Sequence, residues 1–159
     1  MKATYPFIPR STAQLEPGQF WTFTMRNSEY ACGVVLQLVS FGDKTNTRMF
    51  VAGLLNWTGS QKPTSDDLVK CAVIEHGEVH IKTITENSGE ILGKIPWDES
   101  RLEIPLSLSE SPGPNCMLQR GSEILGKASP EQQENLDVFG TWGYRFICRL
   151  AEKHFANVA

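Results

Sequence analysis

Residues 17–38 constrain the fold of this chain more than any other stretch: Pro-Gly-Gln-Phe-Trp-Thr-Phe-Thr-Met-Arg-Asn-Ser-Glu-Tyr-Ala-Cys-Gly-Val-Val-Leu-Gln-Leu. After the punctuating Pro17-Gly18, Phe20, Thr22 and Thr24 alternate with Trp21, Phe23 and Met25, so one face is predominantly apolar at period two. That pattern predicts a half-buried strand. Arg26-Asn27-Ser28-Glu29 supplies turn-forming Asn and Ser, and Tyr30 to Val39 is rich in β-branched and large apolar residues. Gly33 interrupts this second strand where a bulge or a close backbone approach would relieve crowding. An antiparallel hairpin follows, with its large side chains in a core.

With 159 residues, the chain suits one domain over 1–159. A domain of this size buries about 70% of its unfolded surface and needs no disulfide or metal staple. Cys32, Cys71, Cys116 and Cys148 are widely separated with no CxxC pair, which argues against a zinc ribbon or redox motif and for reduced core thiols. The opening Met1-Lys2-Ala3-Thr4-Tyr5-Pro6 has no apolar leader segment, and no later run has the length of a membrane span. A cytoplasmic location is the expectation.

Further strands are expected over residues 48–55, Cys71 to Glu75, Glu78 to Thr85 and Glu90 to Ile95. The intervening breaks are the polar loop Asn56 to Lys62, His76-Gly77 and the turn Glu86-Asn87-Ser88-Gly89. Pro63-Thr64-Ser65-Asp66-Asp67 reads as the start of a short helix, with Thr64 or Ser65 as N-cap and two aspartates complementing the helix dipole. A hairpin is expected from Asn115 to Lys127 about Arg120-Gly121. Ser129-Pro130-Glu131-Gln132 then has the cap, the proline and the glutamine of a helix N-terminus. From Phe139 to Phe155 the apolar residues Phe139, Trp142, Phe146, Ile147, Leu150, Ala151 and Phe155 recur at helical spacing, predicting an amphipathic helix packed on the sheet. The expected class is α+β, mainly an antiparallel twisted sheet with a C-terminal amphipathic helix.

Catalytic and cofactor motifs fail on chemistry. Gly121 to Lys127 resembles a phosphate-binding loop, but Ala128 stands where a magnesium-ligating hydroxyl belongs and the flanking pattern is strand. The repeated Glu-Ile-Leu-Gly-Lys at 90–94 and 123–127 has unmatched flanks and reads as two similar strand ends. His76 and His80 would be about 13 Å apart on an extended strand, too far to share a metal ion. His154 reads as a packing or capping residue of the terminal helix. No GxSxG elbow or cysteine-nucleophile signature is present, and the adjacent Asp98-Glu99 diverge in direction. No catalytic, cofactor or metal residues are assigned, and the reading is not that of an enzyme.

The formal charge of -3 hides a gradient. Residues 1–80 contain seven basic and seven acidic side chains, whereas 98–137 contain eight acidic against three basic. An acidic face repels nucleic acid and steers basic partners toward it.

The chain also resembles the bacterial immunity protein family twenty-six, whose members accompany polymorphic toxins. The matching segments are Pro17-Gly18-Gln19-Phe20-Trp21 with Tyr30-Ala31-Cys32-Gly33-Val34-Val35, His80-Ile81-Lys82-Thr83-Ile84 through Gly89-Glu90-Ile91-Leu92-Gly93 to Pro96, and Trp142-Gly143-Tyr144. The resemblance implies neutralisation of a cognate toxin by tight binding, with occlusion of its active site. For a basic toxin such as a nuclease, the charge pattern nominates Glu86, Asp98, Glu99, Glu103 and Glu110 as contacts that mimic phosphate. The other classes consistent with the residues are a general β-rich interaction or regulatory module and a small enzyme whose pocket motif reading does not reveal.

Overall fold

The computed structural model describes residues 4–41 and 43–156; the N-terminal reading of Met1-Lys2-Ala3 therefore falls outside the described residues. The chain is α+β. Its first sheet contains β1 (Gln19–Thr24), β2 (Tyr30–Phe41), β3 (Lys44–Gly59), β4 (Val73–His80) and β5 (Gly93–Lys94) in the order β4-β3-β2-β1-β5, with every pairing antiparallel. A second antiparallel sheet comprises β6 (Leu106–Leu108), β7 (Met117–Arg120) and β8 (Glu123–Lys127), in sequence order. Among the described residues, four short α-helices accompany them: α1 (Ser65–Leu68), α2 (Lys82–Thr85), α3 (Pro130–Asn135) and α4 (Phe146–Ala151).

The opening hairpin forms as expected, with Phe20 opposite Val34 and Thr24 opposite Tyr30. Asn27 accepts from the Glu29 N–H at 2.9 Å, and Ser28 takes a positive φ of 72° within the turn. The expectation of a half-buried β1 is corrected, because Gln19 through Phe23 are all buried. Trp21 and Phe23 face a core with Val35, Phe50, Ala52 and Leu54, while Phe20 faces a second core with Val34, Leu36, Val51 and Leu55. Helices and loops cover both faces of this antiparallel sheet, a condition that a period-two pattern does not reveal. On the first face lie Leu15, Ile84 and Ile91 together with Ile147 and Leu150 of α4. On the second lie Leu68 of α1, Ile95 and Leu102, with Trp97 and Ile104 packed against them.

Several boundaries also move. β3 continues through the expected loop at Asn56 as far as Gly59, because Ala31 and Tyr30 pair with Thr58 and Gly59. β4 runs without a turn across His76-Gly77, and 82–85 is a helical turn rather than strand. The strand expected over Glu90 to Ile95 contracts to Gly93–Lys94 and an isolated bridge between Ile91 and Phe7. Thr64 caps α1 and Ser129 caps α3, each with the reciprocal capping box closed by Asp67 and Gln132 respectively.

The largest correction concerns the C-terminal segment. The helix begins at Phe146, not near Phe139, and continues as a π-helical turn over Glu152–Ala156. Residues 137–142 are instead extended and bridge both sheets. The Leu108 N–H donates to the Asp137 carbonyl at 2.9 Å and the Phe139 N–H donates back to Leu108 at 2.8 Å. Farther on, the Glu78 N–H donates to Gly140 and the Trp142 N–H to Glu78, both at 2.9 Å. One short segment thereby covers the outer edges of β6 and β4 and satisfies backbone groups that would otherwise template further pairing. Gln37 adds a side-chain tie, its Oε1 accepting from the Ser122 N–H and hydroxyl at 2.8 and 3.0 Å.

Candidate functional site

The five nominated carboxylates do not converge. All five are exposed, and none forms an ion pair among the described residues. Asp98 and Glu99 lie in a 3-10 turn, Trp97–Glu99, whose Trp97 packs on the second core. Glu103 sits between the packed residues Leu102 and Ile104 of the same face. Glu86 instead follows α2, whose Ile84 belongs to the opposite core, and lines a depression with Arg145. Glu110 lies beyond β6 at the end of the small sheet, where its carbonyl accepts from the Cys116 thiol. Asp98, Glu99 and Glu103 thus lie in one exposed segment, together with the exposed Arg101, and Glu86 and Glu110 lie on other elements.

This segment borders an open groove of about 750 Å³ between the main sheet's second face and the small sheet. Trp97, Leu102, Ile104, Pro105 and Leu136 supply its apolar walls, and Glu103 and Arg120 supply charge. An apolar recess with a charged rim has the anatomy of a protein-binding surface, in which a partner's side chain is desolvated at the centre and ionic contacts remain at the edge.

Pro105, Leu106 and Leu136 also belong to the wall of a second cavity, of about 490 Å³, between β4, β6 and α4. It is lined by His76, Ser107, Asp137, Trp142 and Lys153 among others. Among the described residues, His76 Nε2 and Ser107 Oγ are buried without a hydrogen-bond partner, so these two side chains do not form the nucleophile-base hydrogen bond of a hydrolase. Burial holds the His76 imidazole below its ordinary pKa, partly opposed by the Glu75 and Asp137 carboxylates. Motif reading missed this cavity, because its residues come from four separated segments and, of them, His76 alone had been weighed for its chemistry, as a metal ligand, while Trp142, Phe146 and Leu150 were read as one helix face.

The two histidines of β4 are separated by their surroundings. His76 stacks on Phe139 with ring centroids 5.6 Å apart, and His80 lies 5.4 Å from Tyr144 while its Nδ1 accepts the Lys82 N–H at 3.0 Å. Among the described residues no three His, Cys, Asp or Glu side chains are grouped to hold a metal ion. His154 Nε2 lies within hydrogen-bonding distance, 2.8 Å, of the Glu75 carboxylate. The phosphate-loop-like run is β8 itself, paired antiparallel to β7 rather than following a parallel strand. The four cysteines are free thiols. Burial raises the pKa of Cys32 well above the ordinary thiol value, and it also raises those of Cys71 and Cys148, which keeps them protonated and weakly nucleophilic at neutral pH.

No described helix is long and apolar enough to cross a membrane. The chain matches no family model, no curated protein and no solved structure. What fold and site define together is a class: an α+β protein of two stitched antiparallel sheets, with an apolar groove along one side that is lined by one acidic and one basic residue, Glu103 and Arg120.

Proposed function

We propose that this protein is an immunity protein that binds a cognate bacterial toxin in the cytoplasm and neutralises it by covering its active site. The observation that carries the reading is the acidic segment Asp98, Glu99 and Glu103, exposed and free of ion pairs among the described residues, beside an apolar groove. The sequence resemblance supplies the class of partner, and the charge supplies its expected sign: a basic toxin surface such as the substrate face of a nuclease. A stable occluding complex needs about 800 Å² from each partner, so the groove would be the centre of a larger contact. Long-range attraction to the carboxylates would accelerate encounter, while apolar contact in the groove would slow dissociation.

Co-expression with the product of the adjacent toxin-encoding reading frame tests the proposal. Cells should survive expression of the toxin domain, and the two proteins should co-purify. Death of those cells together with failure to co-purify would overturn the reading. A complex that forms without protecting cells would favour a general interaction or regulatory module, which could use the same groove.

A further inference from the structure

The segment 137–142 covers the outer edges of β4 and β6, and the edge at β5 is only two residues long. β8 is different: among the described residues it pairs with β7 alone, so its other side is an uncovered strand edge. Ile124 and Leu125 stand there as large apolar side chains, 52% and 40% exposed. The register fixes which backbone groups point outward. The Ala128 N–H donates to the Cys116 carbonyl at 3.1 Å, and the Met117 carbonyl accepts from the Ser109 N–H at 2.9 Å. By alternation Lys127, opposite Met117, turns its N–H and C=O away from β7. On β6, Leu108 bonds outward to 137–139, so Ser107 faces Gln119, and Ile124, opposite Gln119, also points outward. The irregularity in pairing at Leu125 lies between them and leaves both sets of groups free.

We propose that β8 is a dimer edge, to which the β8 of a second copy of this chain adds antiparallel about a twofold axis, joining the two small sheets into one. Ile124 lies opposite the second copy's Lys127, each supplying an outward N–H and C=O, and the twofold repeats the pair. Between the pairs Leu125 meets the second copy's Gly126, where even an added Cβ would touch nothing within 4 Å, so the leucine has room. Charge selects the same arrangement. Antiparallel addition brings the Glu123 end of each strand beside the Lys127 end of the other, whereas parallel addition would align like charges. Each copy occupies its β8 edge in the pairing, so the assembly closes at two chains. The dimer is independent of the toxin partner, and its test requires none.

Sedimentation velocity of the full chain over a concentration series reads the assembly. A contact built on one strand pair is small and therefore weak, so the mass should double reversibly as the concentration approaches about 1 mM. Ile124→Lys combined with Leu125→Lys crowds like charges about the twofold and should leave a monomer throughout. Both side chains are exposed, so the melting temperature should hold. Ile124→Pro removes an outward N–H that β7 does not use and should weaken dimerisation at least about tenfold. Amide exchange reads the register: on dilution Ile124 and Lys127 should lose protection, while Ala128, bonded to Cys116, keeps it. A chain that stays monomeric at about 1 mM would overturn the proposal. So would species larger than a dimer, a dimer indifferent to both variants, or one in which the Ile124 and Lys127 amides exchange as freely as in the monomer.

Discussion

At Gly33, the absence of a side chain determines how the first core packs. Trp21 is fully buried, and its indole lies so close over Gly33 that an added Cβ would enter the ring's van der Waals envelope. With a paired strand on either side, the backbone there has little freedom to withdraw. Gly33→Ala should therefore destabilise the protein by about 1–3 kcal/mol, the usual range for overpacking, measured by denaturant unfolding. Stability equal to that of the parent would show that the indole moves aside without strain. The sequence indicated that glycine was required but not its partner, because the Trp21-Gly33 contact crosses the β1-β2 pair.

His76 gives the same scale a pH signature. Its folded pKa lies below the ordinary 6.5 because burial disfavours the imidazolium. Between that folded value and 6.5 the unfolded chain binds the proton more readily, so this contribution to stability is complete above pH 6.5 and is lost as pH falls toward the folded pKa. His76→Asn should flatten the stability curve below pH 6.5 while leaving its slope above that pH unchanged. A slope unaltered by the substitution would locate the titration elsewhere, His80 being the other histidine whose pKa is lowered.

At the scale of elements, the bridge over 137–142 matters more than the short terminal helix. A Cβ at Gly77 would lie 2.5 Å from Trp142 Cε2, so the indole is seated directly on the β4 backbone beside the edge that Trp142 seals. Trp142→Ala should cost about 3 kcal/mol, at the lower end for removal of a large aromatic because the ring is half-buried. It should also raise amide exchange at Glu78 and Leu108, where the same segment meets the two sheets. Loss confined to the helix, with Glu78 still protected, would contradict this stitching role. Periodicity gave a different picture, since Phe139 and Trp142 recur at helical spacing with Phe146 and Ile147. The structure divides them: Phe139 packs on the second core, Trp142 and Ile147 on the first, and Phe146 is exposed. The capping pattern at Ser129 was legible because it is completed within four residues, whereas at the first helix the sequence left Thr64 and Ser65 open as caps and the structure chose Thr64.

At the scale of the whole molecule, charge placement decides which nominated residues can act together. If Asp98, Glu99 and Glu103 steer a basic toxin, reversing all three to lysine should lower the association rate at least about tenfold at low ionic strength, with the difference shrinking as salt is added. Glu86→Lys should have a weaker effect, because Glu86 lies on the opposite face of the main sheet. Stopped-flow association with the toxin domain reads both. Unchanged rates for the triple variant at low salt would remove the acidic segment from the interface.

The sequence by itself determined the α+β class, the first hairpin, the β7-β8 hairpin and the helix starts at Thr64 or Ser65 and at Ser129. Each depends on a periodicity or a contact closed within a few residues. Tertiary structure decided that β1 is buried on both faces, that 137–142 edges two sheets, and that the five carboxylates divide among separate surfaces. It also brought His76, Ser107, Asp137 and Lys153 to one cavity. Those outcomes rest on contacts between segments remote in the chain, and a residue's local pattern carries no information about which distant surface will cover it.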